Sequence, residues 1–188
     1  MKLTTLLKKK LVLLALVATF TNCSKDDIIK PQTELPPITQ TGENTVGCLV
    51  DGKVFLPYQK KPFGVPSTTC YYQFLDGTYE FGLSFFNNKQ NPSSNIFIGG
   101  NKLEFIEGQT YQLKDEKNKS SAYAYVSIEG GGIYNYSTTD TITGELTITK
   151  LDPTKSIISG TFWFDAERIT DGKIIKIREG RFDMQYTV

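Results

Sequence analysis

The chain predicts an all-β domain, and three observations carry that expectation. Asp-Gly pairs stand twice between apolar arms, apolar and polar residues alternate with period two in stretch after stretch, and no segment sustains a 3.6-residue apolar period long enough for a sizeable helix. Together they give an antiparallel meander of about ten short strands folded into a β-sandwich or a flattened open barrel. Whether the sheet closes is left open by the pattern.

The elements follow in order. "VGCLVDGKVFLP" places Asp51-Gly52 between two apolar arms, a type I′ hairpin signal because both turn residues need φ > 0. "CYYQFLDGTYEFGLSF" repeats the device with Asp76-Gly77. Pairing outward from that turn puts Cys70, Tyr72, Phe74, Tyr79, Phe81, Leu83 and Phe85 on a core face, with Gln73, Thr78, Glu80 and Ser84 on a wet one. Weaker strands fit residues 96–98 and 110–113. In "SAYAYVSIEGGGIYNYST" a hairpin turning at Gly130-Gly131 pairs Ser127 with Tyr134 and Tyr125 with Tyr136. "GELTITKLD" points Leu146 and Ile148 one way. "SIISGTFWFDA" sends Ile158, Phe162 and Phe164 inward and Thr161, Trp163 and Asp165 outward. The last stretch alternates Phe182, Met184, Tyr186 and Val188 against Arg181, Asp183, Gln185 and Thr187.

Ahead of this domain the chain is of another kind. Lys2 and Lys8, Lys9, Lys10 precede the apolar run Leu11 to Phe20, which as helix would rise only about 15 Å, half of a hydrocarbon core. Residues 1–22 are therefore expected to be a signal peptide. Cys23 stands at the border where a lipoprotein signal ends and a thiol accepts diacylglycerol. The run Cys23-Ser24-Lys25-Asp26-Asp27 resembles the start of a Bacteroidota-type lipoprotein. For such proteins, acids after the lipidated cysteine imply export to the outer face of the outer membrane. The resemblance thus implies a cell-surface protein held in the membrane by two acyl chains at Cys23, enough for stable anchoring. Residues 23–44, with Pro31, Pro36 and Pro37, are expected to form the lipidated N-terminus and an extended flexible tether, and residues 45–188 a single β-domain.

Four segments of that domain, "GCLVDGKVFLP", "GELTITKLD", "ISGTFWFDA" and "GKIIKIREGRFDM", resemble an uncharacterised family of Bacteroidota lipoproteins, a domain of unknown function. The similarity covers most of residues 35–188. It implies a secreted β-domain and carries no site residues across.

Composition excludes several chemistries. Removing residues 1–22 leaves 17 basic and 20 acidic side chains, net −3, the wrong sign for a nucleic-acid binder. The chain has no histidine, which excludes His-based triads, histidine metal ligands and the commonest general base. No metal or cofactor motif is present: "GGNK" and "EGGGI" read as turns rather than phosphate loops. A carboxylate-based hydrolase would need a pair drawn from Asp165, Glu167 and Asp183, but Arg168, Arg178 and Arg181 are nearby partners, so a non-enzymatic role is expected. Cys48 and Cys70 share the core sides of their strands, leaving a disulfide or two buried thiols as alternatives.

The aromatic residues are the candidate site. Under the Gly130-Gly131 register, Tyr123, Tyr125, Tyr134 and Tyr136 share one face, opposite Ala124, Val126, Ile128 and Ile133. If the aliphatic face is the core, four rings line an outer surface suited to a glycan, peptide or protein partner. If the tyrosine face packs inward, the rings are core. Trp163 faces the same choice, since a slip of one residue would bury it. Asp140-Thr141-Ile142 resembles the acceptor used for O-glycosylation of exported proteins in these bacteria, which makes Thr141 a modification candidate. The function expected is a non-catalytic binding module. The alternative is an accessory envelope protein that docks to another surface complex.

Overall fold

The computed structural model describes residues 34–59, 66–89, 92–118 and 120–188. The described residues form eleven strands: β1 (Thr45–Val50), β2 (Lys53–Phe55), β3 (Thr68–Leu75), β4 (Thr78–Asn87), β5 (Ser93–Asn101), β6 (Thr110–Lys114), β7 (Ala122–Glu129), β8 (Ile133–Ser137), β9 (Gly144–Asp152), β10 (Ile157–Glu167) and β11 (Ile174–Gln185). The described residues contain no helix. The expected all-β class is what forms.

The two Asp-Gly hairpins adopt the backbone their sequence requires. Asp51 and Gly52 have φ of 46° and 79°, and Asp76 and Gly77 have 49° and 80°, the positive pair that matches the right-handed strand twist. Leu75 then opposes Thr78, and Cys70 opposes Leu83. The predicted core face of this hairpin holds, except that Phe74 is exposed because the hairpin tip overshoots the core.

All strands belong to one sheet, ordered β2-β1-β11-β10-β9-β6-β7-β5-β4-β3, with β8 paired to β7 and to the end of β10. The expected antiparallel meander needs one correction. β6 lies between β9 and β7, and it runs parallel to β7, with Leu113 opposite Ala122 and Lys114 opposite Tyr123. The sheet is therefore mixed.

The sheet folds over on itself, and its inner surface is one aromatic-rich core. Phe81 on β4 meets Phe182 on β11, with ring centroids 6.4 Å apart, and Phe85 meets Phe162 on β10 at 6.1 Å. Full closure is absent. Beyond the end of β11, Thr187 makes an isolated bridge to Tyr71 on β3, through Thr187 N–H to the Cys70 carbonyl and Tyr72 N–H to the Thr187 carbonyl. The result is an open, flattened barrel.

Residues 34–44, expected as part of a flexible tether, are held to the sheet. Pro36 is buried, and the amides of Thr41, Gly42 and Glu43 all donate to the Asp183 carboxylate. The Asn44 side chain accepts from Gln185 N–H. A buried anion with several backbone donors around it thus ties the segment ahead of β1 to β11.

Candidate functional site

The hairpin that carried the tyrosine hypothesis turns differently from expectation. Glu129 opposes Ile133, so three glycines, not two, make the loop, with Gly131 at φ 68°. One extra loop residue inverts every side chain of β8 relative to β7. Tyr136 therefore opposes Val126 and Tyr134 opposes Ile128, on the core side. Tyr136 is 9% exposed and part of the core, while Tyr134 at the hairpin end is 40% exposed. The Arg168 guanidinium covers both rings, at 4.8 and 5.5 Å from their centroids, and pairs with Asp171. Of the four tyrosines, only Tyr123 and Tyr125 share the outer side of the sheet, and there Tyr123 is buried, at 8% exposure, while Tyr125 is half-buried.

Around those two, other strands complete the surface. In register, Tyr71 on β3, Gly82 on β4, Gly99 on β5 and Tyr123 on β7 make one lateral row. The Tyr71 ring lies over Gly82 and the Tyr123 ring over Gly99, where any Cβ would collide with them. Strand glycines here serve close approach of a ring to the backbone. The next row is Thr69, Ser84, Phe97, Tyr125 and Ser137. Phe97 and Tyr125 stack at 4.9 Å with planes 16° apart, and Phe97 meets Tyr123 at 5.8 Å. Tyr71, Phe97 and Tyr125 thus present partly exposed rings from three strands on one platform, with Tyr123 buried among them.

The platform gives way along the strands to a polar trough. Phe86, Asn95, Ser127 and Asn135 form the following row. Of these, Phe86, Asn95 and Ser127, together with Ser84, Asn88, Ser93 and Glu129, border a depression of about 450 Å³. Ser84 donates to Asn95 Oδ1 at 3.1 Å and Ser127 to Asn135 Oδ1 at 2.7 Å. Each amide is held through its oxygen, which leaves its NH2 group as the donor. Burial pushes the hydroxyl pKa values of Tyr71, Tyr123 and Tyr125 up, and the Glu80 or Glu116 carboxylates add to the effect. These phenols stay protonated.

Trp163 stands outward on β10, as expected, at 39% exposure. Its orientation is fixed from two sides. Nε1–H donates to Glu145 at 3.1 Å, and the Arg178 guanidinium sits 5.4 Å from the ring centroid. Arg178 is itself held by the carbonyls of Phe164 and Ile177 and by Asp165 at 2.6 Å. Beside the indole lies a second depression, about 270 Å³, bordered by Ile38, Thr161, Phe162, Glu179 and Arg181. A β11 bulge shapes it: Phe162 opposes Gly180 while Phe164 opposes Ile177, and Glu179 takes φ 50°.

The remaining sequence candidates separate. Cys48 and Cys70 are free, buried thiols whose pKa burial raises. Of the two alternatives the sequence left open, the structure has the buried thiols, on strands that do not pair with each other. Asp165 pairs with Arg178. Asp183 opposes Ser159, six residues back along β10, about 20 Å at strand rise, so the two acids make no catalytic pair. Thr141 is exposed in the turn after β8. Cys23 lies outside the described residues.

Tyr71, Phe97, Asn95, Ser127 and Asn135 were missed by sequence reasoning. The usable signal was glycine inside two strands, which marks close approach of something to the backbone.

Residues 102–184 match the family model for a domain of unknown function, DUF6252. The match takes in β6 to β10 and most of β11, with Tyr123, Tyr125 and Trp163. No curated protein matches the chain, and no solved structure does.

Proposed function

We propose that this chain is a lipid-anchored protein of the outer-membrane surface, attached through Cys23, whose β-domain is a non-catalytic binding module for glycans. One observation carries the binding reading: an aromatic platform (Tyr71, Phe97, Tyr125) runs into a polar trough (Asn95, Ser84, Ser127). Rings stack on the apolar faces of sugars while fixed donors and acceptors meet their hydroxyls, the usual division of labour in a site with few polar anchors. Asp171 and Asp183, both held at about 2, lack the raised pKa that a general acid needs.

The test is a glycan array probed with the full chain and with Asn95→Ala. A defined glycan set should bind the wild type and be lost by Asn95→Ala at unchanged melting temperature. Equal binding by both proteins would place any site elsewhere. Docking to another envelope complex is the second reading. It is favoured by the exposed Ile133 and Tyr134 beside the β7–β8 turn and Ile169 and Ile174 at the β10–β11 turn. Co-purification of a stable partner that Ile169→Asp releases would support it.

A further inference from the structure

We infer that residues 34–44 form a releasable strap across the outer face of β1 and β11, with Ile38 as one wall of the Trp163 depression, so that release of the strap opens that depression. The inference is independent of what the domain binds.

The path of the segment is marked at three places. The amides of Thr41, Gly42 and Glu43 sit at Asp183, and Gly42 lies against Ile157 and Gln185. Ile38 borders the depression together with Gly180 and Arg181. Leu35 and Pro36 lie over Gly47, where a Cβ would press on Leu56 and Pro36, and Gly47 opposes Arg181. From Gly42 to Leu35 the chain therefore runs along β11 from Gln185 toward Arg181. β1 takes the same direction, from Thr45 opposite Asp183 to Val50 opposite Ile177, so the segment is folded back over the strand that follows it. The reversal is made at Gly42 and Asn44, with φ of 79° and 56°, a region open to glycine and tolerated by asparagine. Val46 and Cys48 are core residues, so Gly47 between them faces outward and the strap lies outside the sheet.

Attachment is shallow. Of residues 34–44 only Pro36 is buried, and Ile38 is 60% exposed. The segment forms no strand. It is fastened at its two ends, by the Asp183 carboxylate and by the contact over Gly47, with Ile38 between them. A segment with so few buried apolar contacts opens at a lower free energy than the domain as a whole. A pull from its N-terminal side loads Leu35, Pro36 and Ile38 before it reaches the Asp183 latch. The facing walls do not depend on the strap. Glu145 and Thr147 belong to β9, Thr161 and Trp163 to β10, and the indole is held by Glu145 and Arg178. Lifting the strap thus removes one wall and leaves the others standing.

Trp163 is the chain's single tryptophan, so its emission reports the depression alone. Acrylamide quenching of the full chain is compared with three variants, each well below its own melting temperature. Asp183→Asn unfastens one end of the strap, Leu35→Asp unfastens the other, and Ile38→Ala removes the wall with both fastenings in place. All three should quench faster than wild type, with Trp163 emission shifted to the red. Hydrogen exchange at Thr41, Gly42 and Glu43 should quicken in Asp183→Asn. If that variant does not fold, Leu35→Asp and Ile38→Ala carry the test. Quenching of Ile38→Ala that is no faster than wild type overturns the wall. Faster exchange in a release variant with unchanged or slower Trp163 quenching overturns the coupling of strap to depression. Exchange no faster than wild type in both release variants overturns the strap itself.

Discussion

Asp183→Asn should loosen the domain at its N-terminal approach, and the structure sets the size of the effect. The carboxylate is 1% exposed and accepts four hydrogen bonds: Gly42 N–H at 2.8 Å and Ser159 Oγ–H at 2.7 Å on one oxygen, Thr41 N–H at 3.0 Å and Glu43 N–H at 3.2 Å on the other. Burial by itself would raise its pKa. The donors outweigh burial and hold the group at about 2, below its ordinary 3.8. That displacement corresponds to about 2.5 kcal/mol of folding free energy, at 1.36 kcal/mol per unit. Asparagine cannot accept at both oxygen positions. Its best orientation sets the NH2 group against Ser159, whose hydroxyl can turn to accept, and leaves Gly42 N–H without a partner. Losing a charged acceptor and stranding one amide should cost about 2–4 kcal/mol.

For a chain of this size that is a fall in melting temperature of roughly 5–15 °C at pH 7. The sign of the pH dependence follows from the direction of the shift. A depressed carboxyl stabilises the fold above about pH 4 and loses that contribution as pH falls through about 2. Wild-type and Asp183→Asn melting temperatures should therefore converge between pH 4 and pH 2. Hydrogen exchange at Thr41, Gly42 and Glu43 should accelerate selectively in the variant at pH 7. A variant melting within about 1 °C of wild type at pH 7 would refute the latch, as would a gap that stays constant down to pH 2.

Three further outcomes are expected. Tyr136→Ala should lower stability by about 3 kcal/mol, as a large core truncation does, while Tyr125→Ala costs about 1 kcal/mol for its stack on Phe97; paired thermal melts check the contrast. Gly99→Ala drives a Cβ into the Tyr123 ring and should cost about 1–3 kcal/mol by overpacking, with Tyr123 ring resonances shifting in NMR spectra. Cys48 and Cys70, buried and with thiol pKa values raised by burial, should both react with a thiol reagent on unfolding and neither before it; fast labelling of the native protein would contradict their placement.

Local chemistry was legible wherever one hairpin decided the outcome. Asp76-Gly77 fixes its turn by backbone conformation alone, and from that turn the alternation assigns nearly every residue of β3 and β4 correctly. Trp163 likewise reads as outward, because β10 keeps strict alternation and the bulge sits on its neighbour β11. The β7–β8 hairpin failed for a physical reason. Gly130-Gly131-Gly132 permits a two-residue or a three-residue loop, and nothing local chooses between them. The choice is made by Tyr136, whose ring fills core volume beside Val126 under the cover of Arg168, a residue of the β10–β11 turn. Asp183 was unreadable in the same sense. An acid in an alternating strand reads as solvated, and its partners come from residues 41–43, at the other end of the domain.

The candidate binding surface shows why half of it was found and half missed. Its rows cross β3, β4, β5, β7 and β8, drawing two or three residues from each. No single segment carries the pattern. Tyr123 and Tyr125 were visible because both lie on β7, where two rows pass through the same strand and leave aromatics two residues apart. Tyr71 and Phe97 stand alone among residues of their own strands, and only register places them beside β7. What β4 and β5 contribute at the upper row is the absence of side chains at Gly82 and Gly99, which gives the rings somewhere to lie. A surface assembled by register is written in sequence as isolated aromatics and strand glycines, and those become a site only once strand order is known.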